Sequence, residues 1–177
     1  MDAAREDNRI VLLFNRAEAG LLRGVLRGVT RQYQLKPGEI DPKVAEVWYS
    51  RRGCEGAALS AGETQEWLEH LHAFKSARLD AMGRWLEQLA ARQEEVWPLR
   101  LGLEEAEMFL TVINDHRLFA AARHDIGQAE MDLGFSGDIV RLTPAQQAAL
   151  LEIHFLAWII EEVLSLLPGG GAEEKTP

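Results

Sequence analysis

The chain has 177 residues, 47% of them hydrophobic, which is enough to bury one sizeable core and short for two ordinary domains. A formal net charge of -9 with no run of Lys or Arg argues against duplex nucleic acid or an anionic membrane surface as the main partner. Residues 1–9 read as polar rather than as a secretory signal, and the most apolar run, 155–160, falls well short of the ~20 residues a membrane span needs, so a cytoplasmic protein is expected.

Residues 10–14 form a short apolar run that reads as a strand. Asn15 follows as a helix N-cap with Glu18 at the third helical position, a variant of the capping box, and predicts a first helix over residues 16–34. Leu22, Val25, Leu26 and Val29 make its core stripe, Glu18 lies toward that stripe, and Pro37-Gly38 ends it. Residues 36–59 are a connector containing Pro and Gly, with a short helix at 42–49 behind an Asp41 cap. Ser60-Ala61-Gly62-Glu63 is a second capping box and opens a long helix to about residue 93. Leu68, Leu71, Met82, Trp85 and Leu89 follow its apolar face, but Lys75 and Arg78 stand in the middle of it, where packing alone would select Leu.

A second apolar run at 97–101 leads into a helix over residues 103–124. At a hundred degrees per residue, Leu103, Ala106, Leu110, Asn114, Arg117 and Ala121 share one stripe, so its apolar face is interrupted by Asn114 and Arg117. A buried guanidinium keeps its proton and must find acidic or carbonyl partners, so an internal polar network is expected. Met108, Val112 and Phe119 make a second apolar strip on the other side of this helix, either covered by loops or used by a partner. A loop over 125–142 precedes Thr143-Pro144-Ala145-Gln146, a third capping box, and a final helix to about residue 167. On that helix Glu162 shares a stripe with Leu151, Phe155 and Trp158. The order strand, helix, loop, helix occurs twice. It predicts an all-α fold, a four-helix bundle with a pseudo-twofold repeat whose two short strands pair as a small two-stranded ribbon. One helical domain over residues 1–168 and a disordered tail at 169–177 complete the expected organisation.

Lys75, Arg78, Asn114 and Arg117, with Glu18 and Glu162 as available acids, admit two readings. The charges pair among themselves and fix helix register. Alternatively, they converge on a pocket for a small anion or carboxylate, with Arg supplying bidentate bonds. Glu69 and His72 reproduce the Glu-x-x-His spacing of helical di-iron bundles, but such a site needs that pair twice and a Glu from each remaining helix, so no metal or cofactor is expected. Cys54 is the single cysteine, which excludes an internal disulfide. It follows Arg51 and Arg52, cations that lower a thiol pKa, yet the sequence supplies no positioned base or oxyanion site, and a loop cysteine without catalytic role is expected. Trp48 and Tyr49, ahead of those two arginines, read as a partner-contact patch.

The segment Leu103-Glu104-Glu105-Ala106 through Leu110, then Asn114-Asp115-His116-Arg117-Leu118, resembles the signature of an uncharacterised bacterial family, the domain of unknown function two-zero-one-seven. That family's pattern is a strand, Glu-Glu-Ala, an apolar helix and Asn-Asp-Leu-Arg-Leu. His116 stands here where the family has Leu, and it is expected to project away from the core stripe. The likeness continues at Ala157-Trp158-Ile159-Ile160-Glu161, where the family tends to show Trp-Leu-Gln-Glu and this chain has Ile160 in place of Gln. The resemblance implies no established activity; some relatives are encoded beside ClpS, the adaptor that presents substrates to a Clp protease. Without a catalytic constellation, and with the Met108, Val112 and Phe119 strip, the expected function is a non-catalytic protein-interaction or regulatory module with a protein partner. The resemblance adds a connection to ClpS and Clp proteolysis and leaves the oligomeric state open. The alternative is a small anionic ligand-binding protein or enzyme built on an inward-facing Arg/Asn cluster.

Overall fold

The computed structural model describes residues 1–49, 59–90, 95–133 and 137–168. Cys54, Arg51 and Arg52, and the expected tail at 169–177, lie outside the described residues.

Strand β2 (Arg9–Phe14) is the centre of a three-stranded antiparallel sheet ordered β1-β2-β3, with β1 (Asp2–Glu6) and β3 (Trp97–Gly102) on its two sides. The register pairs Leu12 with Leu99 and Phe14 with Trp97. The two predicted strands therefore do pair, but the two-stranded ribbon is corrected to three strands. Polar β1 returns through a tight hairpin at Asp7, whose φ of 50° is a left-handed conformation that Asp tolerates. Ile10, Leu12 and Phe14 of β2 and Trp97, Leu99 and Leu101 of β3 are buried on the core face with a period of two, and Val11 of the central strand is buried on the other face as well.

Both inner strands run directly into long helices. Helix α1 (Arg16–Tyr33) begins where Asn15 accepts the Ala17 and Glu18 amides at 2.9 and 3.0 Å while Glu18 accepts the Asn15 amide, the predicted box. The other Glu18 oxygen accepts from the Met1 amine at 2.7 Å, so this acid is not an interior partner for arginine. A 3-10 turn (Pro37–Glu39) leads to the short helix α2 (Pro42–Trp48), capped by Asp41.

The single long helix expected after Ser60 is two helices, α3 (Ala61–Ser76) and α4 (Leu79–Gln88). The regular helix lapses at Ala77 and Arg78, next to the Ser76 hydroxyl, which donates to the Tyr33 carbonyl at 3.2 Å and ties the end of α3 to the end of α1. Only Lys75 of α3 is buried, whereas α4 sends Ala81, Met82 and Trp85 into the core.

Helix α5 (Leu103–Arg123) follows β3 without a loop. A short helix α6 (Gln128–Asp132) and a second 3-10 turn (Gly137–Arg141) precede α7 (Pro144–Leu166), which starts at the predicted Thr143 cap. The main core joins β2, β3, α1, α2, α4, α5 and α7 around Trp85, Tyr33, Phe14 and Phe109, with Trp85 and Phe109 edge to face at 5.3 Å. Each fully buried side chain of this kind contributes roughly 1.5–3 kcal/mol. Ala120, Ile126, Ala149, Leu150 and Ile153 form a smaller second cluster toward one end of α5 and α7.

Candidate functional site

Helix α5 is buried along Ala106, Phe109, Val112, Ile113, Asp115, His116 and Ala120. This corrects the expected inner stripe: Asn114 is exposed, Arg117 is only partly buried, and the polar groups turned inward are their neighbours Asp115 and His116. His116 thus points into the molecule rather than away from it. Its Nε2 lies 2.9 Å from Glu152 Oε2 on α7, its ring packs tilted against Phe119 at 5.6 Å, and Gly28 of α1 leaves room for it.

Asp115 is the hub of the interior polar cluster. Its Oδ2 accepts from the Tyr33 hydroxyl at the end of α1 and from Lys75 Nζ, in the last turn of α3, at 2.6 Å. A cation there also suits the negative end of the helix dipole. The Asp115 backbone carbonyl accepts Trp48 Nε1 at 2.8 Å. Lys75 Nζ sits 4.8 Å from the centre of the Trp48 ring and 5.5 Å from that of Tyr33, and those two rings meet edge on. Helices α1, α2, α3 and α5 are pinned at one point, and the two buried charges answer each other.

The surroundings act on these groups as burial requires. Burial, and next the Asp115 charge, hold the Tyr33 phenol well above its ordinary range, with Arg78 pulling the other way. Lys75 is pulled down, chiefly by burial, against the opposing attraction of Asp115. Tyr49 is pushed up to about 12, by burial first and then by Asp115.

Of the expected ligand-binding set, the structure brings Lys75 and Arg78 together beside Tyr33, with Lys75 alone of the two bonded to Asp115, and leaves the others apart. Arg117 feels Glu161 rather than Glu162, and its buried Nε has no hydrogen-bond partner. Glu162 accepts instead from Trp158 Nε1 at 3.3 Å on the outer side of α7, where Leu151 and Trp158 are exposed. The strip of Met108, Val112 and Phe119 is covered from within: Val112 is fully buried, Met108 and Phe119 pack on the core, and Phe119 meets Trp48 of α2 at 6.0 Å. Trp48 and Tyr49 are themselves buried and present no exposed patch.

Sequence reading missed Tyr33, Asp115 and Glu152. A signal for Asp115 existed, because Val112, Asp115 and Phe119 follow the i, i+3, i+7 spacing of one helix side, so the second strip already contained an acid.

Beside this cluster the 3-10 turn, α2 and α3 enclose an open cleft of about 1410 Å³. Pro37, Val47 and Leu68 give it apolar surface, while Glu39, Glu46 and Glu69 add exposed carboxylates. Tyr49 joins the cleft lining to the buried cluster through its response to Asp115. His72, one turn before Lys75, also lines the cleft, with its Nε2 buried and unpartnered. Glu69 and His72 thus share the cleft, yet among the described residues no group of three or more His, Cys, Asp or Glu is arranged to hold a metal ion.

Comparison with known families matches residues 1–167 to the family described as "Domain of unknown function (DUF2017)". The chain belongs to this family. The DUF2017 match spans every described element, from β1 to α7, so the Asp115 cluster and the cleft both lie inside it. Neither the curated proteins nor the solved structures gave a match. No helix among the described residues is long and apolar enough to cross a membrane.

Proposed function

We propose that this protein is a non-catalytic interaction or regulatory module of the cytoplasm, connected to ClpS and Clp proteolysis, which recognises a protein partner through the cleft between α2 and α3. One observation carries the recognition part of the reading, while the Clp connection comes from the family resemblance alone: the interior charges of Lys75 and Asp115 answer one another, whereas the large open cleft is lined by apolar groups and exposed carboxylates. A paired Lys75–Asp115 interior favours register and rigidity over chemistry, and an open cleft with apolar surface and three carboxylates in its lining favours recognition. In the same reading α1, α3 with α4, α5 and α7 act as the four helices of a bundle, and the β2-α1 and β3-α5 units as its repeated halves. The test is direct titration of the purified chain with purified ClpS and its protease, read by sedimentation velocity. A saturable complex supports the proposal, and an unchanged monomer-sized or self-associated boundary in every mixture removes it.

A second reading rests on the unpartnered Arg117 Nε. A small carboxylate bound there would stabilise the protein in a thermal-shift screen of metabolites, and the stabilisation would vanish in a folded Arg117→Ala variant.

A further inference from the structure

We infer that the α2–α3 cleft takes a short peptide segment of a partner protein that combines Arg or Lys side chains with large apolar ones. This rests on the interaction reading above and names the chemistry of what is recognised.

Size and openness favour a ligand larger than a metabolite. Small-molecule pockets run about 300–1,000 Å³ and enclose their ligand, whereas this cleft is about 1410 Å³ and open. A polymer segment fits that shape better than a metabolite. Charge then selects the segment. Glu39 on the 3-10 turn, Glu46 on α2 and Glu69 on α3 bring three exposed acidic residues to the cleft lining from three separate elements, and among the described lining residues Lys36 is the one lysine or arginine set against them. A cationic ligand meets a complementary potential there, and an acidic one is repelled.

The floor supplies the apolar half of the specificity. Val47, 38% exposed on α2, and Leu68, partly covered on α3, both line the cleft. Helix α3 contributes no fully buried apolar side chain to the core, so the partial exposure of Leu68 is surface that a partner's Leu or Ile can cover. Exposed ion pairs are individually weak, so three of them amount to about a tenfold preference, with apolar burial supplying the rest of the affinity.

The probe is a fluorescein-labelled ten-residue peptide alternating Arg and Leu, titrated with the full chain and read by fluorescence anisotropy. Companion peptides alternate Glu with Leu and Arg with Ser. The Arg–Leu peptide is expected to bind saturably and at least tenfold more tightly than either companion. Glu46→Lys with Glu69→Lys should weaken it at least tenfold, and Leu68→Ser should weaken it severalfold. Glu104→Lys with Glu107→Lys makes the same change in net charge at α5 residues outside the cleft lining, and should leave binding within about twofold. Equal losses in the two charge-reversed variants would reduce the effect to whole-molecule charge and overturn the proposal. So would equal binding of the Arg–Ser peptide. Binding that emerges only when Arg51 and Arg52 are replaced by Ser assigns the cleft to the chain's own segment and overturns it as well. ClpS titrations of the same variants separate the two claims. ClpS binding unaffected by the cleft substitutions, with no peptide binding, sinks the cleft assignment alone, whereas peptide binding without any ClpS complex sinks the Clp connection alone.

Discussion

Replacing Lys75 by Met removes the cation that neutralises Asp115 at a place where the two side chains are 10% and 11% exposed. Met keeps most of the length and apolar contact of the lysine stem, so the charge is the variable that changes. The carboxylate then keeps only the hydrogen bond from the Tyr33 hydroxyl in a nearly enclosed site, with Arg78, which acts on Tyr33, as the cation left nearby. Stripping one member from a buried pair costs ~3–5 kcal/mol. In a chain of this size each kcal/mol moves the thermal midpoint by ~2–4 °C, so a fall of ~6–20 °C is expected. Adding Asp115→Leu removes the stranded charge and should recover part of the loss, leaving ~1–3 kcal/mol because the Tyr33 hydroxyl no longer has its acceptor. The double-mutant cycle should therefore give a coupling above ~1 kcal/mol in urea unfolding followed by tryptophan fluorescence. A Lys75→Met midpoint within ~2 °C of the parent, with additive effects in the cycle, would refute the buried pair as the pin that joins α1, α3 and α5.

Alkaline pH gives a second test. Tyr33 and Tyr49 hold their protons above the ordinary phenol value of about 10, so their stabilising contribution is complete below about pH 10 and drains away as pH rises, through about 12 for Tyr49. At Tyr49 the rise from about 10 to about 12 sets an upper bound of about 2–3 kcal/mol, which solvent in the adjoining open cleft screens to roughly 1 kcal/mol. Lys75, pulled down, works in the opposite sense, adding stability as pH rises toward about 10.5, so the net loss should set in beyond that point. A urea midpoint that stays level from about pH 10.5 to about pH 12 would contradict this. Trp48→Phe deletes the donor to the Asp115 carbonyl and should lower stability by ~1–2 kcal/mol in urea titrations. Gly24→Ala on exposed α1 surface, where a Cβ meets nothing within 4 Å, should raise stability by up to ~1 kcal/mol, and a loss would show that α1 is not helical there.

Local signals are the legible part of the sequence. Asn15, Ser60 and Thr143 each place a helix start, because a cap is a hydrogen-bond pattern confined to four residues. The inner strands are visible as apolar runs, but β1 is not, since its residues at 2–6 are largely polar and become a strand only by pairing with β2. Nothing at 77–78 announces the break between α3 and α4, where neither Pro nor Gly occurs and the ties to Tyr33 and Asp115 are made by residues distant in sequence. Facing is the harder problem. Helix α5 is packed against α1, α2 and α7 as well as the sheet, so it is apolar on more than one side and its periodicity does not select an inner stripe. The charge of Lys75 on an apolar face therefore does mark an interior group, while its partner is Asp115 and not the adjacent Asn114 to which the periodicity points.

Recognition at the cleft, with the Lys75–Asp115 pair as structural support beneath it, is tested most directly by backbone amide chemical shifts of the isotopically labelled full chain during titration with the Arg–Leu peptide. The expected result is saturable shifts at Glu46, Val47, Leu68 and Glu69 that fit one dissociation constant, with the amides of Glu104 and Glu107 unmoved. Shifts confined to the surface around Asn114 and Arg117, or no saturable shift at any residue, would contradict it.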